Sequence, residues 1–436
     1  MGRVSHGIDR VAVSFDDPNL VANAGLILVG TLVVRLGLER LVNATVRLGG
    51  RVGGALPGRK VLTLVHAIVA GGSHIDHADV LRSGASDAVL PHRVMAPSTL
   101  GTFLRAFTFG HVRQLEAVVG ETLRRAWAMG AGPGKGRLVV DVDSTICEVA
   151  GKAKQGAAFG YTKVLGYHPI LATRAGTGEI LHARMRKGSA NTARGARRFI
   201  EELVARVRRA GAAGEIVLRV DSGFWSFDTL ATLARLDVRY TMAVRTGNKA
   251  LVKLIAAIDD DAWADIDYTP DGQAQVAETT YKGRRLIVRR TRLTDRAQRR
   301  LWPDWRHHAF LTDLDGTAAD VDAFHRRHAE VELAIRDLKE GAGLEHVPSG
   351  QFFANGAWLC CAVLDHNLLR WSVTLGRRSP IDELVVSRTV RTRLIAIPAR
   401  LVNRAGTPTL RGPLHWPWAG WFTARLAALR ALPDSG

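Results

Sequence analysis

Residues 137–145 read Arg-Leu-Val-Val-Asp-Val-Asp-Ser-Thr, an apolar run that ends in two acids. On a strand, alternate side chains share a face, so Leu138, Val140 and Val142 fall on one side and Val139, Asp141 and Asp143 on the other. A second run over 216–224, Ile-Val-Leu-Arg-Val-Asp-Ser-Gly-Phe, repeats the plan and brings Asp221 to its C-terminal edge beside a small polar residue and a glycine. Two strands therefore each deliver a carboxylate to a sheet edge. Hard divalent cations such as Mg²⁺ take oxygen ligands and keep several waters, so carboxylates of this kind plus substrate phosphates can make a cation site. Taken singly, each Asp equally suits the start of a turn or a helix cap.

The charge balance narrows the partner. The 60 Lys and Arg against 41 Asp and Glu give +19 over 436 residues, with a pI near 10.7. Fixed positive charge releases condensed counterions from a polyanion, which points to nucleic acid. Arg-rich usage suits bidentate phosphate contacts or follows genomic base composition, but the second reading leaves the excess of bases over acids unexplained. A content of 47% hydrophobic and 23% charged residues is ordinary for two or three globular domains and argues against disorder. Cys147, Cys360 and Cys361 are too few and too badly spaced for a disulfide framework or a zinc knuckle, which fits a reduced cytoplasm. The uncharged stretch 18–34 contains Pro18, Asn19 and Asn23 and falls short of the roughly 20 apolar residues of a membrane span. No signal peptide or membrane partner is expected.

Three regions follow in order. Residues 1–130 read as helices near 20–48, 60–71 and 111–128, with a helix start at Pro97-Ser98 capped by Ser98. This region is either a helix-turn-helix-like DNA-binding domain or a plain helical bundle. His74 and His77 have the spacing of a metal pair but no further ligands nearby in sequence. The glycine-rich joint 130–136 lacks the strand before it and the Gly-Lys-Ser/Thr after it that a phosphate cradle needs. From 138 to 245 the expected order is strand 138–143, strands 167–173 and 180–185, helix 192–209, strand 216–220, helix 226–235 and strand 239–245, an α/β layer around a mixed sheet. Arg186 and Lys187 sit where a nucleic-acid backbone would cross the acidic edge, or belong to a solvated basic loop.

Residues 246–312 read as an insertion of shorter strands carrying Trp263, Trp302 and Trp305 beside Arg284, Arg285, Arg289 and Arg290. Aromatics interleaved with cations suit a base-stacking platform or simple packing at a domain join. A single amphipathic helix is expected over 324–339, with Phe324, Val331, Ile335 and Leu338 on its apolar stripe and His325, His328, Glu332, Arg336 and Lys339 on its polar stripe. Residues 351–376 form a closing apolar helix, and 377–436 a basic C-terminal region with Arg388, Arg391 and Arg393.

Asp143 in Val-Asp-Ser-Thr, Asp221 in Val-Asp-Ser-Gly-Phe, the strand-rich insertion, and Glu332 with Lys339 seven residues on resemble the DDE transposases of bacterial insertion sequences. The likeness is to the subgroup with a Tyr-x2-Arg-x3-Glu-x6-Lys helix, and Gly166-Tyr-His-Pro169, Pro348–Asn355 and Asp365–Trp371 add to it. The resemblance implies a ribonuclease H-like catalytic core over 131–376, with Asp143, Asp221 and Glu332 as catalytic and metal-binding triad and Asp141 as a possible auxiliary. It also implies two Mg²⁺ ions, or Mn²⁺, at that triad. It implies cleavage at the element's terminal inverted repeats, transfer of the 3′ end to double-stranded target DNA, a homodimeric active complex, and a cytoplasmic, nucleoid-associated location. DNA contacts are expected from His325, His328, Arg336, Lys339, Arg186, Lys187, Trp302 and Trp305. His325 and His328 replace the Tyr and Arg of the signature, so DNA binding is expected to weaken between about pH 6 and 8 if they touch phosphate. A metal-dependent nuclease without strand transfer and a decayed DNA-binding repressor are the alternative activities.

Overall fold

The computed structural model describes residues 8–160, 162–268, 272–293, 305–376 and 386–435. At its centre lies a nine-stranded sheet. Its strands are β1 (Leu138–Ser144), β2 (Ile170–Arg174), β3 (Ile180–Arg184), β4 (Ile216–Val220), β5 (Arg239–Val244), β6 (Ala264–Asp265), β7 (Gly272–Tyr281), β8 (Arg284–Leu293) and β9 (Arg306–Thr312), in the spatial order β6-β7-β8-β9-β5-β4-β1-β2-β3. Within the five strands β3-β2-β1-β4-β5, β1, β4 and β5 are parallel, whereas β2 runs antiparallel to both β1 and β3. That is the mixed α/β core expected of a ribonuclease H-like sheet. The parallel steps require crossovers, and the helices Ala196–Ala210 and Phe227–Arg235 supply them. Val217 and Leu218 of β4 are fully buried, as a strand covered on both faces requires.

The insertion differs from the short strands expected for it. Strands β7 and β8 are ten residues long, pair along their whole length, and extend the central sheet through β9 onto β5. Lys282 (φ 53°) and Gly283 (φ 72°) close the hairpin with two left-handed residues, whose twist matches that of the flanking strands. Trp302 lies outside the described residues.

The helix Phe352–Thr374 is buried over most of its length and packs on β3 and on the helices Leu26–Arg35, Pro57–Val69, Pro97–Arg105 and Phe109–Ala126. A single apolar core therefore runs from the N-terminal helices through the sheet. The polar residues of this helix hold the exposed edge of β3. The Asn367 amide bonds both the N–H and the C=O of Ile180 at 2.9 Å, standing in for a further strand, and Trp127 and Trp371 donate to Glu179 at 3.0 and 2.6 Å. Two local expectations change. Ser98 is not the cap of its helix: Pro97 occupies the first turn and Ala96 the cap, with the Ser98 carbonyl accepting from Thr102 Oγ1. Residues 399–404 and 407–411 form a hairpin that pairs with Leu20–Val21, joining the N- and C-terminal parts of the chain.

Candidate active site at the sheet edge

The register of the central strands decides where the acids meet. Val142 of β1 pairs in parallel with Val220 of β4, so the next residues, Asp143 and Asp221, emerge side by side from neighbouring strand ends. Each turns its carboxylate back onto the following amide: Ser144 N–H donates to Asp143 Oδ1 at 2.6 Å, and Ser222 N–H to Asp221 Oδ1 at 2.5 Å. Asp143 is partly buried and Asp221 exposed. Burial pushes the Asp143 carboxyl above its ordinary value, the Ser144 amide and His328 oppose that, and the charges of Asp221 and Glu332 add to the rise. Acids from two other elements thus act on Asp143 electrostatically.

Glu332 reaches the site on a chain segment that is not the single helix expected. An α-helix over Ala318–Arg326 gives way to a 3₁₀ turn at Arg327–Ala329, then an α-helix over Glu330–Arg336 and a π turn at Asp337–Gly341. A 3₁₀ step rotates the chain by about 20° more per residue than an α step, so three such residues shift the face by roughly 60°. His325, on the helix before this turn, is buried and does not line the cleft that holds Glu332, Arg336 and Lys339. A cleft of about 330 Å³ is lined by Asp143, Ser144, Thr145, Glu332, Arg336 and Lys339, with Ile335, Glu340 and Glu345 also on its wall, which places Asp143 and Glu332 together with Arg336 and Lys339. Lys339 Nζ also donates to the carbonyl of Ile146 at 3.1 Å, tying the helix to the loop after Asp143.

The other expected site residues sort by what they touch. Asp141 is fully buried, and Arg219 from β4 takes both its oxygens at 2.7 Å while His328 Nδ1 lies 2.8 Å from Oδ1. Its carboxylate is spent on an ion pair, not free for a cation. Arg219 also donates to the Phe324 carbonyl at 2.9 Å, so this cluster clamps the Glu332 segment to the sheet. His325 is 4% exposed, bonds Thr241 Oγ1 at 2.7 Å and stacks on Phe310 at 4.1 Å. Burial, with His308, His328, Arg289 and Arg219 nearby, holds it well below its ordinary pKa, so it stays neutral between pH 6 and 8. Neither a phosphate contact nor the expected pH effect can come from it. Arg186 is likewise turned inward, with hydrogen bonds to the carbonyls of His168, Asn191, Thr192 and Arg194. Lys187 is exposed. Trp305 packs with Arg290, whose guanidinium lies 4.6 Å from it and 4.1 Å from Trp263.

Several residues that shape the site lie outside the candidate set read from sequence, although His168 falls in the Gly166-Tyr-His-Pro169 run. His168 Nε2 lies 2.9 Å from Ser144 Oγ while its Nδ1 meets the Ala190 carbonyl at 2.7 Å, which fixes the turn that presents Asp143. His308 is half-buried, and its pKa is lowered to about 4, first by burial and then by Arg289, with the charge of Asp221 opposing. Asp337, one turn past Glu332, is held by Arg370 at 2.8 Å and by the amide and hydroxyl of Ser387 at 2.9 and 2.7 Å. Arg219 did leave a signal: a cation inside a β-branched buried strand demands a buried acid.

A mixed sheet whose central parallel strands end in neighbouring acids, with a third acid on a helix beside one of them, has the strand order of a ribonuclease H-like core. The sequence matches the family Transposase DDE domain group 1 over residues 5–434, nearly its whole length, and the protein belongs to that family. No curated protein matches it by sequence. In structure it is similar to the piggyBac transposase of a cryo-EM synaptic complex with hairpin DNA, with a TM-score of 0.46, 11% identity, and 86% of this chain and 80% of the other covered.

Asp143, Asp221 and Glu332 are all carboxylates, the oxygen donors that a hard divalent cation takes. Among the described residues, no three His, Cys, Asp or Glu side chains are grouped closely enough to hold a metal ion by themselves. No helix among them is long and apolar enough to cross a membrane.

Proposed function

We propose that the protein is a DNA transposase that binds the terminal inverted repeats of its own element, cuts the strand there and joins the freed 3′ end to target DNA. What supports this reading is the adjacency of Asp143 and Asp221 at the ends of paired parallel strands and of Asp143 and Glu332 on one cleft. Asp143, Asp221 and Glu332 would hold Mg²⁺ or Mn²⁺, which supplies Lewis-acid stabilisation of charge developing on the phosphate and the departing oxygen. The chain's own part is positioning. Arg336 and Lys339, on the same cleft as Asp143 and Glu332, attract and orient the phosphate backbone. The clamp of Arg219 and His328 on Asp141 keeps the Glu332 segment in register with the strand ends. The fixed turns at Ser144 and Ser222 hold the two Asp carboxylates before substrate arrives, so little reorganisation remains for the reaction. Two copies, each engaging one element end, would form the active complex. The test is joining: purified protein, a labelled duplex ending in the repeat that flanks its gene, and a supercoiled plasmid should give plasmid covalently linked to the labelled 3′ end. Cleavage without any linked product would replace this reading by a nuclease.

A further inference from the structure

Two sequence runs outside the candidate triad, at 166–169 and 348–355, converge on one small element. Cys147–Glu148, Leu165–Tyr167 and Ala158–Phe159 make a three-stranded flap of their own, with Leu165–Tyr167 in the middle. Its root is the active-site cleft: Thr145 lines that cleft, and Lys339 holds the carbonyl of Ile146 at 3.1 Å. The outer loop is braced from two sides. On one, the Gln155 amide donates to the Gly350 carbonyl at 2.8 Å, the Gln155 side chain accepts from the Phe352 amide at 3.1 Å, and Lys154 donates to the Val347 carbonyl. Asn355 donates to the Tyr167 hydroxyl at 3.1 Å, which donates in turn to the Gln155 carbonyl at 3.0 Å. On the other side, a side chain at Gly188 would collide with the backbone of Gly166 and Ala158, so only glycine lets the flap seat on the segment after β3.

What this bracing presents is Phe159. Ala157 and Leu165 beside it pack against the core, yet Phe159 stands 65% exposed on the outermost strand of the flap. A single exposed ring is ordinary on a protein surface, so the charge around it decides its meaning. Lys152 and Lys163 on the flap and Lys187 on the segment beneath it are all exposed, against one exposed acid, Glu148, on the far strand. Cations around an apolar wedge match duplex DNA: ammonium groups meet phosphates, and the stacked bases are the apolar interior that a ring enters once a step opens. Neighbouring strands lie about 4.8 Å apart, so the ring is carried about 10 Å out from the strand that leaves the cleft, roughly three base-pair steps along a duplex.

We propose that double-stranded DNA beside the active-site cleft runs over this flap, and that Phe159 inserts between two of its base pairs as a wedge that bends the duplex. The proposal rests on the transposase reading for why a duplex lies at the cleft, but its readout is the shape of bound DNA and needs no cleavage. The duplex is the flank of an element end or the target, and the experiment separates the two. Full-length protein is mixed with two end-labelled duplexes, one carrying the repeat that flanks the gene and one unrelated to it, each with 2-aminopurine scanned along one strand. Energy transfer between the ends reads bending, and 2-aminopurine fluorescence reads unstacking. Wild type should bend at least one duplex by roughly 20–90° and brighten 2-aminopurine at one step. Phe159→Ala should lose both effects while melting at the wild-type temperature, and Phe159→Leu, still an apolar wedge, should keep most of both. Bending of the repeat duplex alone assigns the flap to the element end, and bending of the unrelated duplex assigns it to target DNA. Wild type that leaves both duplexes straight, or Phe159→Ala that bends them as wild type does, overturns the proposal. So does Phe159→Ala protein whose only change is a lower oligomeric mass, which would seat the ring on a second copy. Bending by a protein that neither cuts nor joins DNA would instead refute the transposase reading and leave the wedge standing.

Discussion

Asp365 offers a quantitative check on how the Glu332 segment is supported. It lies within the helix Phe352–Thr374, fully buried, and neither carboxylate oxygen has a hydrogen-bond partner. Burial pushes its carboxyl up from 3.8 to about 8; Asp337 adds to the rise, while Arg391 and Arg370 oppose it. In the unfolded chain the group ionises near 3.8, so at neutral pH folding must bind a proton. A carboxyl raised in the folded state favours folding least at high pH: its penalty is small below the unfolded value and grows until pH reaches the folded one. At pH 7 the gap to the unfolded value is roughly three pH units at 1.36 kcal/mol each, a penalty of about 4 kcal/mol. Asp365→Asn keeps the shape and removes the ionisation. Urea unfolding should therefore show the variant more stable by about 4 kcal/mol at pH 7 and by less than about 1 kcal/mol at pH 4. An equal gap at both pH values, or a variant less stable at pH 7, would refute the reasoning and imply an ionised Asp365 paired to Arg391 or Arg370.

Further outcomes follow from the same contacts. Arg219→Ala strips Asp141 of a buried bidentate partner and should destabilise the fold by about 3–5 kcal/mol in urea unfolding; a loss under about 1 kcal/mol would contradict the clamp. His325→Gln should leave the pH dependence of DNA affinity between pH 6 and 8 parallel to wild type, because His325 is already neutral there; flattening confined to the variant would show that His325 titrates against DNA. His168→Ala removes the contact that fixes Ser144 beside Asp143 and should lower kcat for strand cleavage by about 10–100-fold with DNA affinity unchanged; equal loss of both would mark a general folding defect.

The core was legible in the sequence because its strands are written in two independent codes. Val-Val-Asp-Val-Asp and Val-Leu-Arg-Val-Asp combine buried β-branched residues with a charge at the end, so both the strands and the edge they share could be read without coordinates. The mixed sheet and its helical crossovers followed from the order of those segments. Side-chain direction was less legible on the helices. The periodicity over 324–339 treats the segment as one α-helix, whereas a 3₁₀ turn interrupts it at 327–329 and His325 is buried against Thr241 and Phe310 of the sheet while Glu332 lines the cleft. Arg186 misled for a different reason: a basic loop residue looks solvated in sequence, but four carbonyls around it needed a donor. Long-range partnerships such as Asp337 with Arg370 and Ser387, or Asn367 with Ile180, leave no local pattern at all, since each half is an ordinary polar residue until the other arrives.

The central claim is that Asp143, Asp221 and Glu332 act together on DNA, and the most direct measurement is Mg²⁺-dependent cleavage of a duplex carrying the gene's flanking repeat by wild type and by the three single alanine variants. The account predicts a cut at the repeat's edge by wild type and none by any variant, each still binding the duplex. Cleavage by Glu332→Ala at the wild-type rate would contradict it.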